Sequence, residues 1–119
     1  MDKILLQNMA FYGYHGVMPE ENVLGQKFFI DVELHLNLQQ PGRSDRVEDT
    51  VNYAHVYEQI KEIVEKQKFQ LIEALGETIA QNILEKQTLV QEVLVRVKKP
   101  EAPIPGIFDY VAIEVNRKR

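Results

Sequence analysis

The clearest pattern in the chain is a strict alternation over residues 27–38. Phe28, Ile30, Val32, Leu34, Leu36 and Leu38 take one face, and Asp31, Glu33, His35 and Asn37 take the other. A period of two predicts a half-buried strand, which Pro41-Gly42 would end. Residues 3–12 are also strand-like, but their inward phase changes between Leu6 and Met9, which predicts a bulge or twist. The spacing then becomes helical. Tyr53, Val56, Tyr57, Ile60, Ile63 and Val64 form one stripe, with Asn52 placed to cap it, and Ile72, Leu75, Ile79 and Ile83 form another. Alternation returns at about 89–99, where Val93, Val95 and Val97 oppose Arg96 and Lys98. It returns again at 110–116, where Val111, Ile113 and Val115 oppose Ala112, Glu114 and Asn116.

The order β-β-α-α-β-β predicts an α+β fold with two antiparallel hairpins in a four-stranded sheet. Both helices should cover its apolar face, leaving Asp31, Glu33, Arg96, Lys98 and Glu114 on a wet face. A strand over 27–38 would be roughly 40 Å long at about 3.3 Å per residue. Long strands in a small sheet leave long unpaired edges, and pairing with other copies relieves them by closing a ring or barrel. A homo-oligomer is therefore expected; the alternative is a monomeric sandwich with charge-protected edges.

At 119 residues the chain suits one domain, 1–119. A net charge of -4 with no basic patch argues against nucleic acid, and Asn116-Arg117-Lys118-Arg119 reads as a solvated tail. The absence of cysteine excludes disulfides, thiolate ligands and a cysteine nucleophile. Met1-Asp2-Lys3 lacks the flank of a signal peptide and no later stretch would span a bilayer, so no membrane association and a cytoplasmic location are expected.

Candidate chemistry lies in four places. Lys99 continues the Val93-Val95-Val97 series toward the core side, just before Pro100-Glu101-Ala102-Pro103-Ile104-Pro105-Gly106. The three prolines stiffen that loop. Loss of solvation there favours a neutral amine and hence a base; the plainer reading is a strand-end lysine whose amine reaches water. The loop Gly13-Tyr14-His15-Gly16-Val17-Met18-Pro19-Glu20-Glu21 offers tight turns and carboxylates, or else is a long hairpin connection with solvated acids. Val51-Asn52-Tyr53 opens the first helix, where Tyr53 packs in the core, stacks on a flat ligand or passes a proton. Glu73 falls beside Ala80 and Leu84 at the margin of the apolar arc. There it is either a half-buried anchor for the amino group and ring N–H of a heterocycle, or an acid complementing the helix dipole. His15, His35 and His55 share no ligand spacing, so no metal site is expected; no phosphate loop or dinucleotide fingerprint is present.

Several segments together resemble the dihydroneopterin aldolase family. They are Phe11-Tyr12-Gly13-Tyr14-His15-Gly16, Pro19-Glu20-Glu21, Leu24-Gly25-Gln26-Lys27-Phe28, Asp49-Thr50-Val51-Asn52-Tyr53, Leu71-Ile72-Glu73, Val97-Lys98-Lys99-Pro100 and Pro103-Ile104-Pro105-Gly106. The resemblance implies the tunnelling fold, with four subunits closing a sixteen-stranded barrel and two rings stacked as an octamer. It implies folate-pathway cleavage of 7,8-dihydroneopterin without a cofactor, with C2′ epimerisation as a side reaction. It also implies roles. Glu73 would anchor the pterin, with main-chain groups near Val51, Asn52 and Ile72 completing the pocket. Tyr53 from an adjacent subunit would stack and shuttle a proton, and Lys99 would be the main acid/base group. Glu21, or in its place Glu20, would contact the side-chain hydroxyls. The rival readings are four. One is an epimerase of the triphosphate, for which Arg43 and Arg46 are weak candidates; the others are a zinc-dependent pterin lyase, a Schiff-base aldolase and a non-catalytic pterin-binding scaffold.

Overall fold

The computed structural model describes residues 1–119. In chain order the elements are β1 (Asp2–Gly13), α1 (Pro19–Leu24), β2 (Gln26–Leu36), α2 (Gln39–Ser44), a 3-10 turn (Val47–Asp49), α3 (Tyr53–Lys66), α4 (Ile72–Lys86), β3 (Glu92–Lys99) and β4 (Val111–Lys118). The four strands form one antiparallel sheet in the order β1-β2-β3-β4. The predicted β-β-α-α-β-β architecture is therefore present, with α1 and α2 added in the connections.

The alternating face of the sheet and the two long helices meet in one core of 22 buried residues. Phe28, Ile30, Val32, Leu34, Val93, Val95 and Val97 come from the strands. Val56, Ile60, Val64, Leu75, Ile79 and Ile83 come from the helices. α3 lies over β1, and α4 over β3 and β4. Gly76 lets α4 approach closely, since a Cβ there would lie 2.8 Å from Ile113 Cδ1.

The phase change in β1 is a bulge. The register with β2 shifts between Leu6 and Met9, and Asn8 takes a left-handed conformation at φ 55°. Asp31 holds it by accepting the Asn8 N–H at 2.7 Å. This makes the outer face of the sheet less wet than predicted. Asp31 is only 5% exposed, because the bulge, Arg96 and Lys98 enclose its carboxylate.

Other boundaries also differ. β2 ends at Leu36, before the predicted Leu38, because the Asn37 side chain accepts the Gln39 N–H and turns the chain. Pro41-Gly42 then lies inside α2, where a missing N–H near a helix start costs little. The supposed solvated tail is tied down. Arg117 pairs with Glu77, and the Arg119 guanidinium donates to the carbonyls of Leu84, Gln87 and Val90 at the C-terminal end of α4. The chain is elongated, 51 × 26 × 21 Å, with β1 and β4 as its open sheet edges.

Candidate active site

Lys99 ends β3 in register with Val111. Strand phase turns it to the core side, as the alternation predicts, and it is 8% exposed. Its amine lies 2.5 Å from Glu21 Oε2. Desolvation thus does not act on that amine alone, because a carboxylate sits against it.

Glu21 is delivered by α1, a short helix where only a hairpin connection was predicted. Pro19 opens the helix and Glu20 and Glu21 fill its first turn. Glu20 is exposed, whereas the Glu21 side chain is nearly buried. Glu21 Oε1 accepts the Met18 N–H at 3.2 Å, and Oε2 accepts Gln26 Nε2 at 3.2 Å. Burial pushes the Glu21 carboxyl up, but the Lys99 amine, the Met18 N–H and the Gln26 amide together hold it below the usual carboxylate range. Gly16 makes room for this carboxylate. A Cβ there would stand 2.3 Å from Oε1, and the φ of +153° disfavours any side chain.

Two further residues join this cluster without having been singled out from the sequence. His15 is fully buried. Its Nε2 donates to the Val64 carbonyl at 2.8 Å and its Nδ1 accepts the Phe69 N–H at 3.1 Å, so the ring is the neutral Nε2–H tautomer. Burial lowers its pKa below the ordinary 6.5; the Val64 bond opposes that shift and the Lys99 charge adds to it. Gly16 N–H also donates to the Phe69 carbonyl at 2.9 Å. The segment after β1 is thereby fastened to the α3–α4 connection. The available signal was the pair of glycines around His15: a Cβ on Gly13 would lie 2.8 Å from the imidazole. Gln26, the first residue of β2, is the second addition.

Ile72 and Glu73 begin α4 three residues beyond Phe69, which is bonded to His15 and Gly16 beside Glu21, so this end of α4 lies on the same side of the molecule. The first N–H groups of a helix have no intrahelical partner, and Leu71 offers no side-chain acceptor for those of α4. Ile72 is buried. Glu73 is exposed, so of the two readings of its position the half-buried one does not hold within one chain. Ala80 and Leu84 on the same flank are covered, and in the first turn Ile72 and Leu75 are buried while Glu73 faces outward.

Val51, Asn52 and Tyr53 lie elsewhere. Asn52 caps α3 as predicted, accepting the Ala54 N–H at 3.0 Å, and Val51 is buried. Tyr53 is 64% exposed, so it does not pack in the core. These residues stand at the start of α3, whose 14 residues span about 21 Å before the connection to α4. One chain therefore unites Lys99, Glu21, Ile72 and Glu73 at one end and leaves Val51, Asn52 and Tyr53 at the other. His35 bonds to Glu33 at 3.2 Å and His55 is exposed; no three His, Asp or Glu side chains converge as a metal site.

Residues 4–116 match the model of the FolB dihydroneopterin aldolase family. The chain belongs to this family. It is 48% identical to the dihydroneopterin aldolase of Bacillus subtilis over 119 residues, covering 100% of this chain and 99% of the relative. Its fold is similar to that of E. coli dihydroneopterin aldolase in complex with neopterin, with TM-score 0.90 and 26% identity over 98% of this chain and 99% of that one. It is also similar to a Burkholderia thailandensis dihydroneopterin aldolase bound to guanine, with TM-score 0.82 and 26% identity over 99% and 91% of the two chains. The tunnelling fold and the aldolase activity of folate biosynthesis, both implied by the sequence resemblance, are those of this family.

Proposed function

We propose that Lys99, held by Glu21, is the main acid/base group that cleaves 7,8-dihydroneopterin, within a single aldolase domain spanning residues 1–119. The supporting observation is the buried Lys99–Glu21 contact at the end of the molecule where Ile72 and Glu73 begin α4. Neopterin and guanine, the ligands of the two similar structures, share an amino-oxo pyrimidine edge. The Glu73 carboxylate accepts two hydrogen bonds from that edge, and main-chain groups near Ile72 complete the contact.

The substrate carries its own electron sink, the C6=N5 imine. Removal of the 2′-hydroxyl proton and protonation of N5 break the C1′–C2′ bond. Glycolaldehyde leaves and an enamine remains; protonation at C1′ and loss of the N5 proton give 6-hydroxymethyl-7,8-dihydropterin. Lys99 moves these protons, partly through water, while Glu21 holds the amine and reaches the side-chain hydroxyls. No cofactor takes part. Recapture of glycolaldehyde after rotation inverts C2′, which accounts for an epimerase side activity.

Tyr53, with the main chain at Val51 and Asn52, acts from a neighbouring copy. The separation along α3 keeps these residues from their own Lys99, and the open edges of β1 and β4 provide for ring closure. Four copies close a barrel and two rings stack as an octamer. The cytoplasm is the proposed location; no helix is long and apolar enough to cross a membrane.

The test is incubation with 7,8-dihydroneopterin in the presence of a chelator, followed by product identification. Equal amounts of glycolaldehyde and 6-hydroxymethyl-7,8-dihydropterin are expected. An epimer without glycolaldehyde, or loss of turnover on chelation, would contradict the reading.

A further inference from the structure

Gln26 occupies a corner of the sheet. It is the first residue of β2, and its backbone is fixed opposite Gly13 in the β1–β2 ladder. Its side chain reaches α1, where Nε2 donates to Glu21 Oε2, the same oxygen that meets Lys99 Nζ. The amide has only one workable orientation here. Turning it over would set Oε1 against a carboxylate oxygen, two acceptors face to face. In the orientation adopted, Gln26 Oε1 is buried and has no hydrogen-bond partner. A buried carbonyl without a donor opposes folding, so an apolar side chain of similar length would suit this corner better if packing alone mattered.

We infer that Gln26 is a positioning residue of the aldol-cleavage site: its amide fixes the Glu21 carboxylate in the rotamer that seats the Lys99 amine. The carboxylate is then held from three directions, by the Met18 N–H, the Gln26 amide and the Lys99 amine. The first two holds come from groups that do not titrate. Lys99 is thus placed by a network anchored to the main ladder of the sheet, while its own long side chain is flexible. The unpartnered oxygen is the cost of having an amide donor at this point.

The inference rests on the proposed role of Lys99 and Glu21, and the test separates the two. Gln26→Met keeps length and burial but removes both the donor and the orphan acceptor. The variant is expected to unfold at the same temperature as the wild type or higher. Its kcat should fall about tenfold or more with KM within about threefold, because misplacing a catalytic group slows the chemical step more than binding. Gln26→Glu adds a carboxylate facing Glu21, with Lys99 and the neutral His15 the other titratable groups on that side. The acid limb of its kcat profile should move to higher pH. Wild-type kcat in Gln26→Met together with an unmoved acid limb in Gln26→Glu would overturn the positioning role, as would a loss of kcat matched by a loss of folded protein. Lys99→Ala is measured alongside. If it loses turnover while both Gln26 variants match the wild type, only the inference fails; if it retains turnover, the acid/base reading fails as well.

Discussion

His15 shows how much one buried ring can hold. It joins the segment after β1 to the end of α3 and to the connection before α4 through two hydrogen bonds, and it does so only when neutral. Because folding lowers its pKa below 6.5, the unfolded chain binds the proton that the folded chain refuses. Stability should therefore fall as pH drops below about 6.5. Glu21 and Asp31, whose carboxyls are depressed by folding, add a second loss as pH falls through and below their unfolded range near 4. Chemical denaturation between pH 8 and 2 should resolve both phases, and His15→Gln should flatten the first. His15→Ala should cost about 3 kcal/mol at pH 7.5 from the lost bonds and the cavity. For Glu73→Ala, titration should show pterin affinity weakened roughly 10- to 100-fold, the loss of a charge-assisted contact. Unchanged affinity would remove Glu73 from the pocket. Lys99 was legible in the sequence because strand phase fixes its direction, and three prolines mark the corner beyond it. The choice between Glu20 and Glu21 was not legible. It depends on α1, and six residues are too short to display a helical stripe. His15 and Gln26 were hidden for a related reason: one buried polar side chain has no periodicity, and its partners are distant in sequence.

Among the elements, the bulge in β1 deserves its own measurement because it shapes the outer face of the sheet. Asn8 already has the backbone conformation that glycine adopts freely, so Asn8→Gly should change stability by less than about 1 kcal/mol. Asp31→Ala is different. It strips the Asn8 N–H, Arg96 and Lys98 of their common acceptor, and the expected loss is about 3 kcal/mol. Equal effects of the two substitutions would show that the carboxylate does not hold the bulge. The break in alternation between Leu6 and Met9 was visible in the sequence, since period two tolerates no silent insertion. The burial of Asp31 was not, because a charge on a polar face reads as solvated until the bulge and two basic neighbours are placed around it. The end of β2 was misread for a similar reason: Leu38 continues the apolar phase, but Asn37 turns the chain first.

At the scale of the whole molecule, the two proposed halves of the site occupy opposite ends of one elongated chain. A shared site gives a direct consequence. Lys99→Ala and Tyr53→Ala proteins should each be nearly inactive, yet unfolding and refolding them together should restore up to about a quarter of wild-type activity. In a mixed ring, that fraction of boundaries joins an intact Lys99 to an intact Tyr53. No recovery in assemblies shown by native mass spectrometry to be mixed would place both residues in one subunit. The sequence pointed to long strands with open edges, but the strand whose length carried that reading, 27–38, is the interior β2, and the open edges are β1 and β4. The separation of the half-sites was not legible, since it depends on the antiparallel course of α3 and α4.

Lys99 is the group on which the proposed chemistry turns, and one comparison tests its role: kcat and pterin dissociation constant measured on the same preparation of Lys99→Ala. The prediction is a kcat lower by about 1,000-fold with pterin affinity within a few-fold of wild type, as expected for loss of a proton-transfer group that is not the main pterin anchor. A variant that binds pterin normally and turns over at close to the wild-type rate would contradict it.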